Sequence, residues 1–172
     1  MNVLFALLAI SGLGSTVPAG PEWLREYIGA REQGRTEEKP IAVFIGSGNK
    51  GWNLVSREGQ LGREVMEILA REYVCLYVDT KHEEGRQLAS AFDMGSGLGL
   101  VISSHTGQTQ AFRHQGDLEN DDLAHYLRRY ADPERTVSYT ESTESIRTSI
   151  SPAPQAPGSA GYIPLGGPAR TC

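Results

Sequence analysis

KPIAVFIGSGNKGW (39–52) is the stretch on which the fold turns. Lys39-Pro40 leads into Ile41–Ile45, an apolar run rich in β-branched residues with no polar alternation. Such a run reads as a short strand buried on both faces. GSGNKG (46–51) follows at once, and glycines there let the backbone turn sharply where the strand ends.

Downstream, Leu61, Val65, Ile68 and Leu69 mark one face of a helix running to about Arg71. YVCLYV (73–78) is a second buried strand, ended by Asp79. Thr80-Lys81-His82-Glu83 has the spacing of a capping box for a helix carrying Leu88, Ala91 and Phe92. Met94-Gly95-Ser96-Gly97 breaks that helix. LGLVIS (98–103) and TQAFRH (109–114) then flank His105-Thr106-Gly107-Gln108, the pattern of a tight antiparallel hairpin. Asp117 is placed to cap a last helix with an apolar stripe of Leu123, Tyr126, Leu127 and Tyr130, stopped by Asp132-Pro133. Upstream, after Pro21, residues Trp23, Leu24, Tyr27 and Ile28 fall at helical spacing.

The order from residue 21 is therefore α-β-α-β-α-β-β-α. Strands separated by helices imply parallel crossovers, and the hairpin supplies an antiparallel edge. The expectation is an α/β three-layer sandwich over residues 21–134: a four-stranded mixed sheet with helices on both faces. Beyond about residue 135 the chain turns to Ser, Thr, Pro, Ala and Gly, a composition that buries too little apolar area to offset ordering entropy. Residues 135–172 read as a disordered tail, with Tyr162-Ile163-Pro164-Leu165 its one docking patch. At the other end, VLFALLAI (3–10) is about half the length of a membrane span. Small and helix-breaking residues follow, and Val17-Pro18-Ala19 suits a cut before Gly20. Residues 1–19 thus read as a secretory signal, although no Lys or Arg precedes the apolar run; a buried first element is the other reading. Export implies an extracytoplasmic location and no stable membrane insertion after processing. Retention of the segment implies a cytoplasmic one.

Three local matches together resemble the thioredoxin-fold family. Lys39-Pro40 before IAVFI resembles the Lys-Pro-plus-strand start common there. YVCLYVDT resembles its next strand, and Gly97-Leu98-Gly99-Leu100 stands where the family has Gly-Ile-Pro-Thr. The resemblance spans about residues 37–131. It also implies where the family's site would be, and there the chain departs. The Cys-x-x-Cys falls on Lys50-Gly51-Trp52-Asn53, and the cis-proline falls on Gly99. Dithiol exchange needs an attacking thiolate and a resolving thiol, so thiol-disulfide oxidoreductase activity is not expected. A surviving binding face would use Asn49, Lys50, Trp52, Asn53, Ser96 and Gly99. An extended peptide or protein would pair with a free backbone edge at 97–99. Trp52 either gives contact area to that partner or folds back over the core.

Composition narrows the rest. Among 172 residues, a net charge of −5 argues against a nucleic-acid surface, which needs a basic patch. The 2 cysteines, Cys75 and Cys172, are too few for a disulfide framework or a four-thiolate zinc site. Mid-strand Cys75 reads as a small buried hydrophobe, whereas Cys172 is free to form an intermolecular disulfide. His82, His105, His114 and His125 lack zinc-site spacing, so no metal or other cofactor is expected. The leading function is an exported binding or scaffold module without redox activity. One alternative is a small nucleotide- or cofactor-binding enzyme in which Gly46-Ser47-Gly48-Asn49-Lys50-Gly51 cradles a pyrophosphate and Asp79 holds the ribose. Another is a structural envelope protein working through its tail.

Overall fold

The computed structural model describes residues 20–95, 97–104, 108–133, 135 and 140–144. The proposed signal (1–19), Ser96, the hairpin tip (105–107) and the tail from 145 onward lie outside the described residues. The described chain forms β1 (Trp23–Leu24), α1 (Tyr27–Glu37), β2 (Ile41–Gly46), α2 (Arg63–Glu72), β3 (Val74–Asp79), α3 (Glu83–Ala91), β4 (Gly99–Ser103), β5 (Gln110–Gln115), α4 (Asn120–Ala131) and β6 (Glu141–Glu144). A 3-10 turn, Gly51–Val55, lies between β2 and α2.

β2 and β3, the two runs read as buried strands, lie side by side and parallel, from Ile41 opposite Val74 to Gly46 opposite Asp79. β4 runs antiparallel to β2, and β5 antiparallel to β4, which is the expected hairpin. Every residue of β2 is buried because both faces of the sheet are covered. Alternate side chains serve different layers. Ala42, Phe44, Cys75, Tyr77, Leu100 and Phe112 pack with Val65 and Leu69 of α2 and Leu123 and Leu127 of α4. Ile41, Val43, Ile45, Leu76 and Val78 pack with Ala30 of α1 and Ala89 of α3. The three-layer α/β expectation holds.

The sheet, however, has six strands in the order β1-β3-β2-β4-β5-β6, not four. Both extra strands are at the edges. Trp23 and Leu24 do not belong to the first helix; they pair with Cys75 and Leu76, and α1 starts at Tyr27. Two residues are too few to show a period, and their spacing to Tyr27 and Ile28 imitated a helix. β6 comes from within the segment read as tail. It pairs in parallel with β5, from Phe112 opposite Glu141 to Gln115 opposite Glu144. Its sequence, ESTE, has no apolar pattern because its side chains face solvent or ion partners. Glu141 meets Arg129 at 3.0 Å and Arg135 at 2.6 Å, and Thr140 Oγ1 donates to the Gln110 carbonyl.

Two expected caps are also replaced. The Thr80 hydroxyl donates to the Gly46 carbonyl, and the N-cap of α3 is His82, without a side-chain bond. Asp117 lies 3.6 Å from Arg57 as an ion pair, and the N-cap of α4 is Glu119. In both places a tertiary partner outcompetes the local cap.

Candidate functional site

β2, β3 and β6 all point their carboxyl ends to one end of the sheet, and β4 starts there. Ile45 of β2 lies opposite Gly99 of β4, which lies opposite Gln115, which lies opposite Glu144. The two loops named from the sequence, 46–53 and 97–99, therefore do come together on neighbouring strands.

The first loop is tied down rather than open. A Cβ on Gly46 would stand 2.4 Å from the Gly51 carbonyl oxygen, and one on Gly51 would stand 2.2 Å from the Tyr77 hydroxyl. Backbone and ring thus occupy the space that side chains would need. The Tyr77 hydroxyl donates to the Gly48 carbonyl at 2.6 Å. Asp79 Oδ1 accepts the Gly48 N–H at 2.8 Å and the Lys81 N–H at 3.0 Å. Thr80 adds its backbone N–H and its hydroxyl, both to the Gly46 carbonyl. The Gly48 N–H, helped by the Lys81 N–H and the charges of His82 and Lys81, holds the Asp79 carboxyl below the usual range. Burial and then the Asp79 charge push the Tyr77 phenol up to about 12.

Five of the six candidate residues have a place among the described residues. Asn49 and Lys50 are exposed at the loop tip, Lys50 with a left-handed φ of 62°. Trp52 folds back: its ring stacks on Trp23 at 4.9 Å and meets Tyr77 edge-on at 5.1 Å, while Trp23 meets Phe44 edge-on. Of the two roles considered for Trp52, core cover is the one it has. Asn53 is turned inward too, its Oδ1 accepting the Leu61 N–H at 3.3 Å. Gly99 is buried with φ +148°, and a Cβ there would stand 2.1 Å from the His114 carbonyl oxygen. Proline, locked near φ −65°, has no place at that backbone. Ser96 lies outside the described residues.

Two expectations are corrected. The backbone at 97–99 is not a free edge. Gly97 N–H donates to Met94, the Leu98 carbonyl accepts from Gly116, and Gly99 pairs on both sides. Nor does the glycine-rich loop build a pyrophosphate cradle. Its Gly48 N–H and the acid meant for a ribose are bonded to each other. The helix that would face a phosphate, α2, starts only at Arg63, and the N–H of its N-cap Gly62 donates to Asn120 Oδ1. Among the described residues no cluster of His, Cys, Asp and Glu is arranged to hold a metal ion. His114 is buried and pairs Nδ1 with Thr143 Oγ1 at 2.8 Å. Cys75 is 2% exposed, and burial pushes its thiol up to about 12.

One feature of this end went unread in the sequence. A cleft of about 620 Å³ opens between the start of α1, the end of β3 and the start of α3, with Arg25, Tyr27, Ile28, Tyr77, His82 and Leu88 in its walls. Ile28 on its rim is 72% exposed, the most exposed large apolar residue described. The only trace in the sequence was an isoleucine beside Tyr27 on a helix whose buried face is Ala30 and Gly34.

No family model and no curated protein matches the chain. Solved structures do. A thioredoxin from Thermus thermophilus, determined in solution, is similar with a TM-score of 0.52 at 17% identity, covering 64% of this chain and 87% of that one. A DsbH oxidoreductase is similar with a TM-score of 0.52 at 19% identity, covering 72% and 94% respectively. The chain has a thioredoxin-like fold, and its own sheet has six strands with β6 at the β5 edge.

Proposed function

We propose that this thioredoxin-like chain is a binding module without redox activity, and that it acts outside the cytoplasm after loss of residues 1–19. The observation that carries the first part is the loop after β2, where redox relatives of the fold would hold their dithiol. In this chain it offers Lys50-Gly51-Trp52-Asn53, with Trp52 packed on Trp23 and Gly51 pressed against Tyr77. A thiolate needs exposure to react, and Cys75 is buried within β3, where burial outweighs the nearby Lys39 charge and pushes its thiol up. The backbone at Gly99 closes the second half of such a site, since the substrate-seating proline has no room there.

What remains at this end is a recognition surface. Asn49 and Lys50 offer polar contacts at an exposed tip, and the neighbouring cleft offers aromatic and aliphatic walls. A concave apolar wall with a few fixed polar groups suits a peptide or protein segment. The test is an insulin-reduction assay on the purified chain with dithiothreitol as electron donor. Turnover should equal the protein-free rate, and acceleration above it would defeat the reading. For export, the mature protein recovered from its native cell should begin at Gly20; an intact Met1 would contradict it.

A further inference from the structure

We propose that the cleft between α1, β3 and α3 is occupied in cis by the chain's own segment Tyr162-Ile163-Pro164-Leu165. This rests on the reading of the sheet's carboxyl end as the recognition surface, and names its occupant.

Direction comes first. β6 runs parallel to β5, so Glu144 leaves the sheet at the end that holds the cleft, in one row with Gln115, Gly99 and Ile45. The chain after β6 is thus delivered to the correct side of the molecule. Reach follows. From β6 to β3 is four strand spacings, about 19 Å. The segment 145–161, about seventeen residues rich in Ser, Ala, Gly and Pro, has a typical end-to-end distance of roughly 23 Å. A tether whose natural length matches its span gives the highest effective concentration of its cargo, of millimolar order.

Chemistry agrees with geometry. Residues 145–172 contain two arginines, Arg147 and Arg170, and no Asp or Glu, although the whole chain carries −5. The cleft brings Glu26, Asp79 and Glu84 together against Arg25 and His82. The docking segment is the apolar cluster of that tail, flanked by Gly161 and Gly166. A residue before proline disfavours the helical region, so an Ile163-Pro164 sequence loses little conformational freedom on binding an aromatic-lined groove in extended form. Tyr27, Ile28, Tyr77 and Leu88 provide such a groove, and Ile28 gains the cover it lacks.

Cys172 supplies the test. Cys75 is buried, so a nitroxide reagent labels Cys172 selectively in the full chain. In isotopically labelled protein the nitroxide should broaden amide signals of residues 25–28 and 83–88 and restore them on reduction. Ile28→Asp and, separately, Ile163→Asp should each abolish that broadening, whereas Leu54→Asp, on the exposed 3-10 turn, should retain it. No broadening at the cleft, or broadening unaffected by both aspartates, would overturn the proposal. So would broadening seen only when a labelled chain is mixed with a separate nitroxide-bearing one, since the occupant would then be a second copy. These outcomes are independent of the insulin assay, so failure of the tail contact and failure of the non-redox reading are told apart.

Discussion

At the β2–β3 corner one carboxylate, Asp79, receives two backbone N–H groups behind a buried tyrosine. At the β6 edge another carboxylate, Glu141, meets two guanidinium groups near solvent, with side-chain exposures of 28–40%. Both hold a segment against the same sheet. The corner is held by shape, because glycines allow contacts that no side chain would permit. The edge is held by a backbone ladder, charge, and one contact between the buried His114 imidazole and the exposed Thr143 hydroxyl. The contrast teaches that the corner after β2 is fixed by packing that leaves no room for side chains, whereas the β6 edge rests on contacts that salt and pH can weaken.

Substitutions can break this comparison in graded steps. Gly99→Ala should have the largest effect, because its Cβ would meet the His114 carbonyl oxygen at 2.1 Å and Met94 Cε at 2.4 Å. A loss of about 3 kcal/mol in urea unfolding is expected. A loss below ~1 kcal/mol would mean that the β4 start is loose. Asp79→Ala comes next at about 1–2 kcal/mol, mainly the cost of leaving the partly buried Gly48 N–H without its acceptor, since water can reach the Lys81 N–H. Because the folded Asp79 carboxyl lies below its unfolded value, its contribution is complete above about pH 4 and fades as pH falls through the folded value. The gap between wild type and Asp79→Ala should therefore narrow in acid; a constant gap would contradict the carboxylate clamp. Glu141→Gln should cost least, about 0.5 kcal/mol, and its effect should vanish at ~1 M salt while that of Asp79→Ala persists. A reversed ranking of these last two would reverse the comparison.

His114 gives the edge its own pH signature. Burial pushes the imidazole below its usual pKa, so the folded protein prefers it neutral. Its contribution is complete above the unfolded value near ~6.5 and is lost as pH falls toward the folded one. Between pH 7 and 5 the wild type should lose stability that a His114→Gln variant does not, measured by denaturant midpoints.

The central layer was legible because burial on both faces leaves a signal in composition. IAVFI and YVCLYV became β2 and β3, and the hairpin followed from LGLVIS and TQAFRH. The edges were illegible for the converse reason. WL is too short to carry a period, and ESTE is stabilised by partners 29 residues upstream along β5 and by arginines of and after α4, not by its own pattern. The candidate site was half legible. The glycines of 46–51 marked a sharp turn after β2, but sequence could not say that Tyr77 and Asp79 would hold it closed. Hence Asn53, read as a surface contact, accepts a turn N–H, and Trp52, read either as a partner contact or as core cover, packs on Trp23. The cleft beside them depends on three elements meeting, which no local pattern encodes.

The central claim is that the described domain holds no exchangeable sulfur, because its cysteine, Cys75, is buried within β3. It is tested most directly in a Cys172→Ser chain, by following modification of the remaining thiol with a chromogenic disulfide reagent. Cys75 should react only as fast as the protein unfolds, with the rate rising in step with urea-induced unfolding. Rapid modification under native conditions would place a reactive thiol where the structure buries one, and would contradict the account.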